Sequence, residues 1–160
     1  MPVKPIPAGF HSVTAGLVVD EGTRAIEFYK KAFGADELFR MPMGDKIAHA
    51  EIKIGDTIVM LSDEWPDMGL LSPRHRGGTT VSLMVYVEDV DKAFKRAVDA
   101  GGKVDRAVQN EFYGDRTGTL IDPFGHRWSI ATHVEDVSPE EMSRRMEESV
   151  KAQPAAAKQG

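Results

Sequence analysis

Histidine and glutamate side chains supply the first candidate chemistry of this sequence. His49 and Glu51 are two residues apart, so they share one face if the segment is a strand. An imidazole beside a carboxylate can act as an acid–base pair. With His11 the two could also form a site for zinc, iron or nickel. The alternative is a structural hydrogen bond across neighbouring strands, and the sequence leaves all three interpretations open.

A second set of polar and aromatic residues could contact a ligand. Asp115 and Arg116 could orient an anionic or polar group, or form a surface ion pair worth under about 1 kcal/mol. Trp65 could stack on a flat ligand or cover the junction between two modules. Tyr113 and Arg127 are further candidates for binding, because each lies beside or on a predicted strand.

Composition excludes several classes of function. There is no cysteine, which rules out disulfides, thiol nucleophiles and Cys-ligated metals. A net charge of −5 disfavours nucleic acid as a partner. No P-loop or dinucleotide-binding glycine motif is present. Because the sequence shows neither a signal peptide nor an apolar run of membrane-spanning length, we expect a cytoplasmic protein without membrane contacts.

The chain contains a duplicated module. Residues 15–41 and 82–108 each consist of an apolar strand, an acidic turn, an amphipathic helix, a glycine stop and a second strand. Thr23 and Asp89 are the predicted helix N-caps, and Gly34 suits a left-handed helix end. We expect an α+β fold of tandem βαβββ modules. The predicted segments are module 10–64, linker 65–78, module 79–133, and a C-terminal helix with a flexible tail at 134–160.

Strand alternation divides the predicted sheets into two faces. In the third strand, Ala48, Ala50, Ile52 and Ile54 form the apolar set, opposite His49 and Glu51. A mixed face of this kind is typical of a small-molecule cavity, although an ordinary half-exposed sheet is the alternative. The predicted cavity-facing residues elsewhere are Met60, Ser82, Met84, Tyr86, Arg127 and Ser129.

Three stretches give a family resemblance. AIEFYKKAFGA, HAEIKIGDTIVMLSD and YGDRTGTLIDPFGHRWSIATH resemble the PhnB-like branch of the vicinal oxygen chelate superfamily, which includes glyoxalase I and the bleomycin-resistance proteins. The resemblance covers roughly residues 10–145. It implies paired βαβββ modules whose sheets curl around a cavity, and a homodimer.

The resemblance also shows where a metal would be expected. Members that use a metal place His or Glu at four cavity positions, which fall here at Val13 or Thr14, Met60, Ser82 and Ser129. Hydroxyls and a thioether would not hold a catalytic divalent ion. We therefore expect a metal-free protein that binds a small molecule, as bleomycin-resistance proteins do, with no cofactor. The alternatives are a lyase or isomerase that uses the His49–Glu51 pair or a displaced metal, and a structural or regulatory protein without a ligand.

Overall fold

The computed structural model describes residues 3–152. The first module comprises β1 (Gly16–Val19), α1 (Gly22–Phe33), β2 (Asp36–Met43), β3 (Lys46–Ile54) and β4 (Thr57–Asp63). A 3₁₀ turn (Pro66–Met68) and α2 (Pro73–Arg76) follow. The second module comprises β5 (Ser82–Tyr86), α3 (Val90–Asp99), β6 (Lys103–Asn110), β7 (Asp115–Ile121) and β8 (Arg127–His133), and α4 (Pro139–Ala152) ends the described chain.

Each module forms a four-stranded mixed sheet, and the predicted α+β fold is confirmed. The strand orders are β1-β4-β3-β2 in sheet 1 and β5-β8-β7-β6 in sheet 2. In both sheets the first strand pairs in parallel with the last, and the other pairs are antiparallel. The duplicated sequence pattern thus produces the same topology twice.

One predicted face assignment in β3 is wrong because the strand contains an irregularity. Met41 pairs with His49, but the next residue of β2 pairs with Ile47, so Ala48 is the extra residue of a bulge. The bulge reverses the alternation, and Ile47 rather than Ala48 joins the buried set with Ala50 and Ile52. A single sequence does not reveal where such a bulge falls.

The start of α1 also differs from the prediction. Thr23 is not the N-cap residue of α1. Glu21 occupies that position, and its side chain makes no capping hydrogen bond. Instead, the buried Asp63 of β4 accepts hydrogen bonds from the backbone N–H groups of Gly22 (2.8 Å) and Ile47 (2.6 Å). The predicted caps at Asp89 and Gly34 are confirmed.

Helices α1 and α3 lie between the two sheets, and their buried residues belong to one continuous core. Helix α1 packs on its own sheet and also on sheet 2, where Phe33 and Trp128 have ring centroids 4.6 Å apart. The buried Asp122 in the turn before β8 accepts hydrogen bonds from Tyr29 Oη (2.6 Å) of α1 and from Trp128 Nε1 (2.9 Å). A buried carboxylate therefore joins the two modules.

The remaining predictions concern the ends of the chain and the membrane. The predicted flexible tail lies mainly outside the described residues, while Lys151 and Ala152 belong to α4. Within residues 3–152, no helix is long and apolar enough to cross a membrane. The cytoplasmic location stays a prediction.

Candidate functional site

Each sheet has one face covered by the helices and one that is not, which we call its open face. In sheet 1, cross-strand pairing places Gly16, Glu51 and Met60 side by side on the open face. His49 has the same alternation as Glu51 and pairs with Met41. The predicted site residues His49, Glu51 and Met60 therefore share one surface, and none of them is fully buried.

The open face of sheet 2 brings together most of the other predicted ligand-binding residues. Ser82 pairs with Arg127, and Met84 pairs with Ser129, while Tyr86 follows in the same alternation. Met84 is 47% exposed and Tyr86 is 60% exposed. Large side chains of this kind usually lose solvent contact, so a face that keeps them exposed is suited to binding.

Polar contacts organise this face. Arg127 Nη1 lies 2.6 Å from Asp105 Oδ2, so its charge is neutralised by a neighbour on β6. Ser129 Oγ and Thr119 Oγ1 are 3.2 Å apart. The face thus combines exposed apolar side chains with a few oriented polar groups, the usual make-up of a small-molecule site.

Asp115 forms a cluster that sequence reasoning missed. It accepts hydrogen bonds from Tyr86 Oη (2.8 Å) and His133 Nδ1 (2.7 Å). The predicted Asp115–Arg116 pair does not form, because successive strand residues point to opposite faces and Arg116 pairs with Asp91 of α3 instead (2.7 Å). The alternation of β5, β7 and β8 could have indicated which of their residues share a face. The sequence does not reveal the register that pairs Asp115 with His133.

The proposed displaced metal site does not assemble. His49 Nε2 and Glu51 Oε1 are 3.3 Å apart, but His11 lies in the exposed segment before β1. Among residues 3–152, no group of three or more His, Cys, Asp or Glu side chains is placed to hold a metal ion. His49 and Glu51 remain an acid–base or structural pair.

The two remaining aromatic candidates lie away from the strands of the open faces. Trp65, just after β4, packs under the Lys46 ammonium at 5.1 Å from the ring centroid. Tyr113, in the loop before β7, contacts Phe112 edge-to-face. The hydrogen bond to Asp115 and then burial raise the pKa of Tyr86, and the charge of Tyr113 is the smallest contribution.

The two open faces do not face each other within the chain, because α1 and α3 lie between the sheets. A cleft of about 510 Å³ does open between the modules. Strand β5 lines one wall of this cleft, with residues of both its faces, including Met84 and Tyr86, and the first module lines the other with Ala15 and Val59. Among residues 3–152, the two open faces therefore do not enclose a common cavity.

Comparison with known proteins agrees with this architecture. Residues 9–130 match the family model of the glyoxalase/bleomycin resistance protein/dioxygenase superfamily. The chain belongs to this superfamily. An uncharacterized protein of Mycobacterium bovis is 43% identical over 134 residues, covering 81% of this chain and 88% of the relative.

Solved structures extend the comparison to the fold. TioX from a Micromonospora species has a TM-score of 0.61 and 26% identity, covering 80% of this chain and all (100%) of TioX. A PhnB protein from Bacillus cereus, described as a putative 3-demethylubiquinone-9 3-methyltransferase, has a TM-score of 0.59 and 16% identity, covering 76% of this chain and 99% of that one. At 16% identity, the similarity to the PhnB protein shows a shared fold and nothing more.

Proposed function

We propose that this protein binds a small, largely apolar organic molecule on its open faces. The observation that carries the proposal is the exposure of Met84 and Tyr86 beside Ser82 and Ser129 on sheet 2. Sheet 1 supports it, because Phe39 and Met41 are also exposed large apolar residues and adjoin His49. Burying these side chains against a ligand contributes roughly 25 cal/mol per Å² of apolar surface.

We further propose that a homodimer completes the site. Each chain presents two related open faces that point away from its helix layer, so a cavity walled by two sheets needs a second copy. A twofold dimer would pair sheet 1 of one chain with sheet 2 of the other, and it would form two equivalent cavities.

The proposed binding does not use a metal at the superfamily's usual position. Val13 or Thr14, Met60, Ser82 and Ser129 stand at the four ligand positions that the resemblance implies. Their donor atoms are two or three hydroxyls and one thioether. Divalent catalytic ions in proteins prefer imidazole and carboxylate ligands.

A matched pair of variants tests both proposals. Met84 and Val104 are each 47% exposed on sheet 2. Met84 lies on the open face, whereas Val104 has the alternation of Leu120, on the helix-covered side. Met84→Glu should abolish binding of the apolar probe anilinonaphthalene sulfonate, measured by fluorescence titration, and should shift sedimentation toward the monomer. Val104→Glu should leave both properties unchanged.

The outcomes separate the two proposals. A wild type that sediments as a monomer would refute the homodimer. Probe binding that survives in Met84→Glu, or that is lost equally in Val104→Glu, would show that the open face of sheet 2 is not the binding surface.

A further inference from the structure

The inference starts from the carboxylate of Asp115, which is 4% exposed and holds two groups of the open face. Tyr86 Oη and the Nδ1 atom of His133 both donate to it. Since a carboxylate only accepts hydrogen bonds, the proton of His133 that faces Asp115 must lie on Nδ1. By the same argument Nε2 carries a proton while it contacts the Asp136 carboxylate, so the imidazole becomes a base only after Nε2 has lost this proton, with Nδ1 still held by Asp115.

The Nε2 end of His133 is accessible. Its one hydrogen bond among the described residues is to Asp136 Oδ1 at 3.0 Å, and Asp136 is fully exposed. The His133 side chain itself is 52% exposed. An exposed ion pair of this kind is weak, so an incoming molecule can displace Asp136 from Nε2.

The surroundings of His133 suit proton transfer. Asp136 and then Asp115 raise the pKa of His133 above its ordinary value. Tyr86 is a second titratable group in contact with Asp115, to which its hydroxyl donates at 2.8 Å. Thr117, two residues from Asp115 on the same face of β7, has a buried hydroxyl without a hydrogen-bond partner among the described residues.

We propose that His133 is a general base on the open face of sheet 2, oriented by Asp115, for a small molecule that carries an acidic C–H bond. In this step Nε2 takes the proton from carbon. The electron pair of the C–H bond stays on the substrate and moves into its electron-withdrawing group. His133 then returns the proton to the product or to water, so no co-reactant is needed. The inference rests on the proposed function in one respect, namely that the open face admits a small molecule.

The test uses 5-nitrobenzisoxazole, whose ring opens to a coloured cyanonitrophenolate when a base removes its C–H proton. The C–H electron pair forms the nitrile as the N–O bond breaks, so the reaction reports on general-base catalysis alone. We expect the wild type to exceed free imidazole at equal concentration. His133→Gln should lower the rate by about 100-fold or more. His75→Gln, a change in a histidine of α2, is the matched control and should keep the wild-type rate.

The pH profile separates positioning from basicity. The wild-type rate should rise with pH through the raised pKa of His133 and then reach a plateau. Asp136→Asn should move this profile to lower pH, because it removes the largest cause of the shift. Asp115→Asn should move the profile in the same direction and also lower the plateau, because it releases the imidazole. Melting temperatures confirm that each variant is folded.

The possible results distinguish the proposed general base from the proposed binding face. A His133-dependent rate that saturates with 5-nitrobenzisoxazole supports both the base and the binding face. A His133-dependent rate that stays linear in this compound supports the base but counts against the binding face. An unchanged rate in His133→Gln, or a wild type no faster than imidazole, overturns the inference even where binding is observed.

Discussion

Replacing Tyr29 by phenylalanine should weaken the connection between the two modules. Tyr29 is fully buried in α1, and its hydroxyl donates to Asp122 Oδ2 across the module boundary at 2.6 Å. The substitution keeps the ring contacts with Trp128 and removes only this donor. Asp122 retains its bond from Trp128 Nε1 and backbone donors on its other oxygen.

The magnitude follows from the burial of both partners. A hydrogen bond to a charged group contributes about 1.5–3 kcal/mol, and a buried carboxylate that loses a donor cannot recruit water freely. For a chain of this length, 1 kcal/mol changes the melting temperature by roughly 2–4 °C. We therefore expect Tyr29→Phe to lower the melting temperature by about 3–12 °C, and urea unfolding should show a matching loss of free energy.

Tyr86→Phe is the matched control. It removes the same kind of bond, a phenol donating to a carboxylate, at 2.8 Å, but Tyr86 is 60% exposed. Asp115 is itself 4% exposed, but water can reach the position that the exposed phenol hydroxyl leaves, so we expect a smaller loss of stability than in Tyr29→Phe. Equal losses in the two variants would refute the argument that burial of the Asp122 contact stabilises the module junction.

Alkaline unfolding gives an independent test of the same contact. Burial and, after it, the charge of Asp122 hold the pKa of Tyr29 well above its ordinary value. In the unfolded chain tyrosine ionises near pH 10, so the unfolded state loses this proton first and stability falls as pH rises above about 10. Tyr29→Phe should flatten this decline, whereas Tyr86→Phe should affect it much less.

Three further predictions concern other parts of the molecule. Gly22→Ala should lower stability by about 1–3 kcal/mol in urea unfolding, because its new Cβ would lie 2.6 Å from Asp63 Oδ2; an unchanged or higher stability would contradict the packing argument. Although burial opposes it, hydrogen bonding from Ser72 and then His75 lowers the pKa of Glu64 to about 2. This stabilisation is complete above the unfolded pKa and is lost as pH falls from about 4.5 toward 2, so acid unfolding of Glu64→Gln should show a shallower decline in that window than the wild type. Zinc, nickel, manganese and iron(II) should not raise the melting temperature of the untagged protein, and a rise of several degrees at micromolar metal would refute the metal-free proposal.

The repeated pattern of strand, helix, glycine and strand determined the fold class. In α3, Val90, Ala93, Phe94 and Ala97 recur at helical spacing, and these are the residues that the structure buries. The cap at Asp89 and the left-handed Gly34 could also be predicted, because their side-chain and backbone requirements are local. Alternation was sufficient to place Ser82, Met84 and Tyr86 on one face.

Tertiary structure decided the contacts that depend on register and on the approach of distant segments. The bulge at Ala48, the capping of α1 by Asp63 and the bond between Tyr29 and Asp122 each join residues whose relation no local pattern states. The Asp115–His133 pair depends on the alignment of β7 with β8. Sequence periodicity determines which way a side chain points from its own strand, but only the packed sheets determine which side chain from another strand it meets.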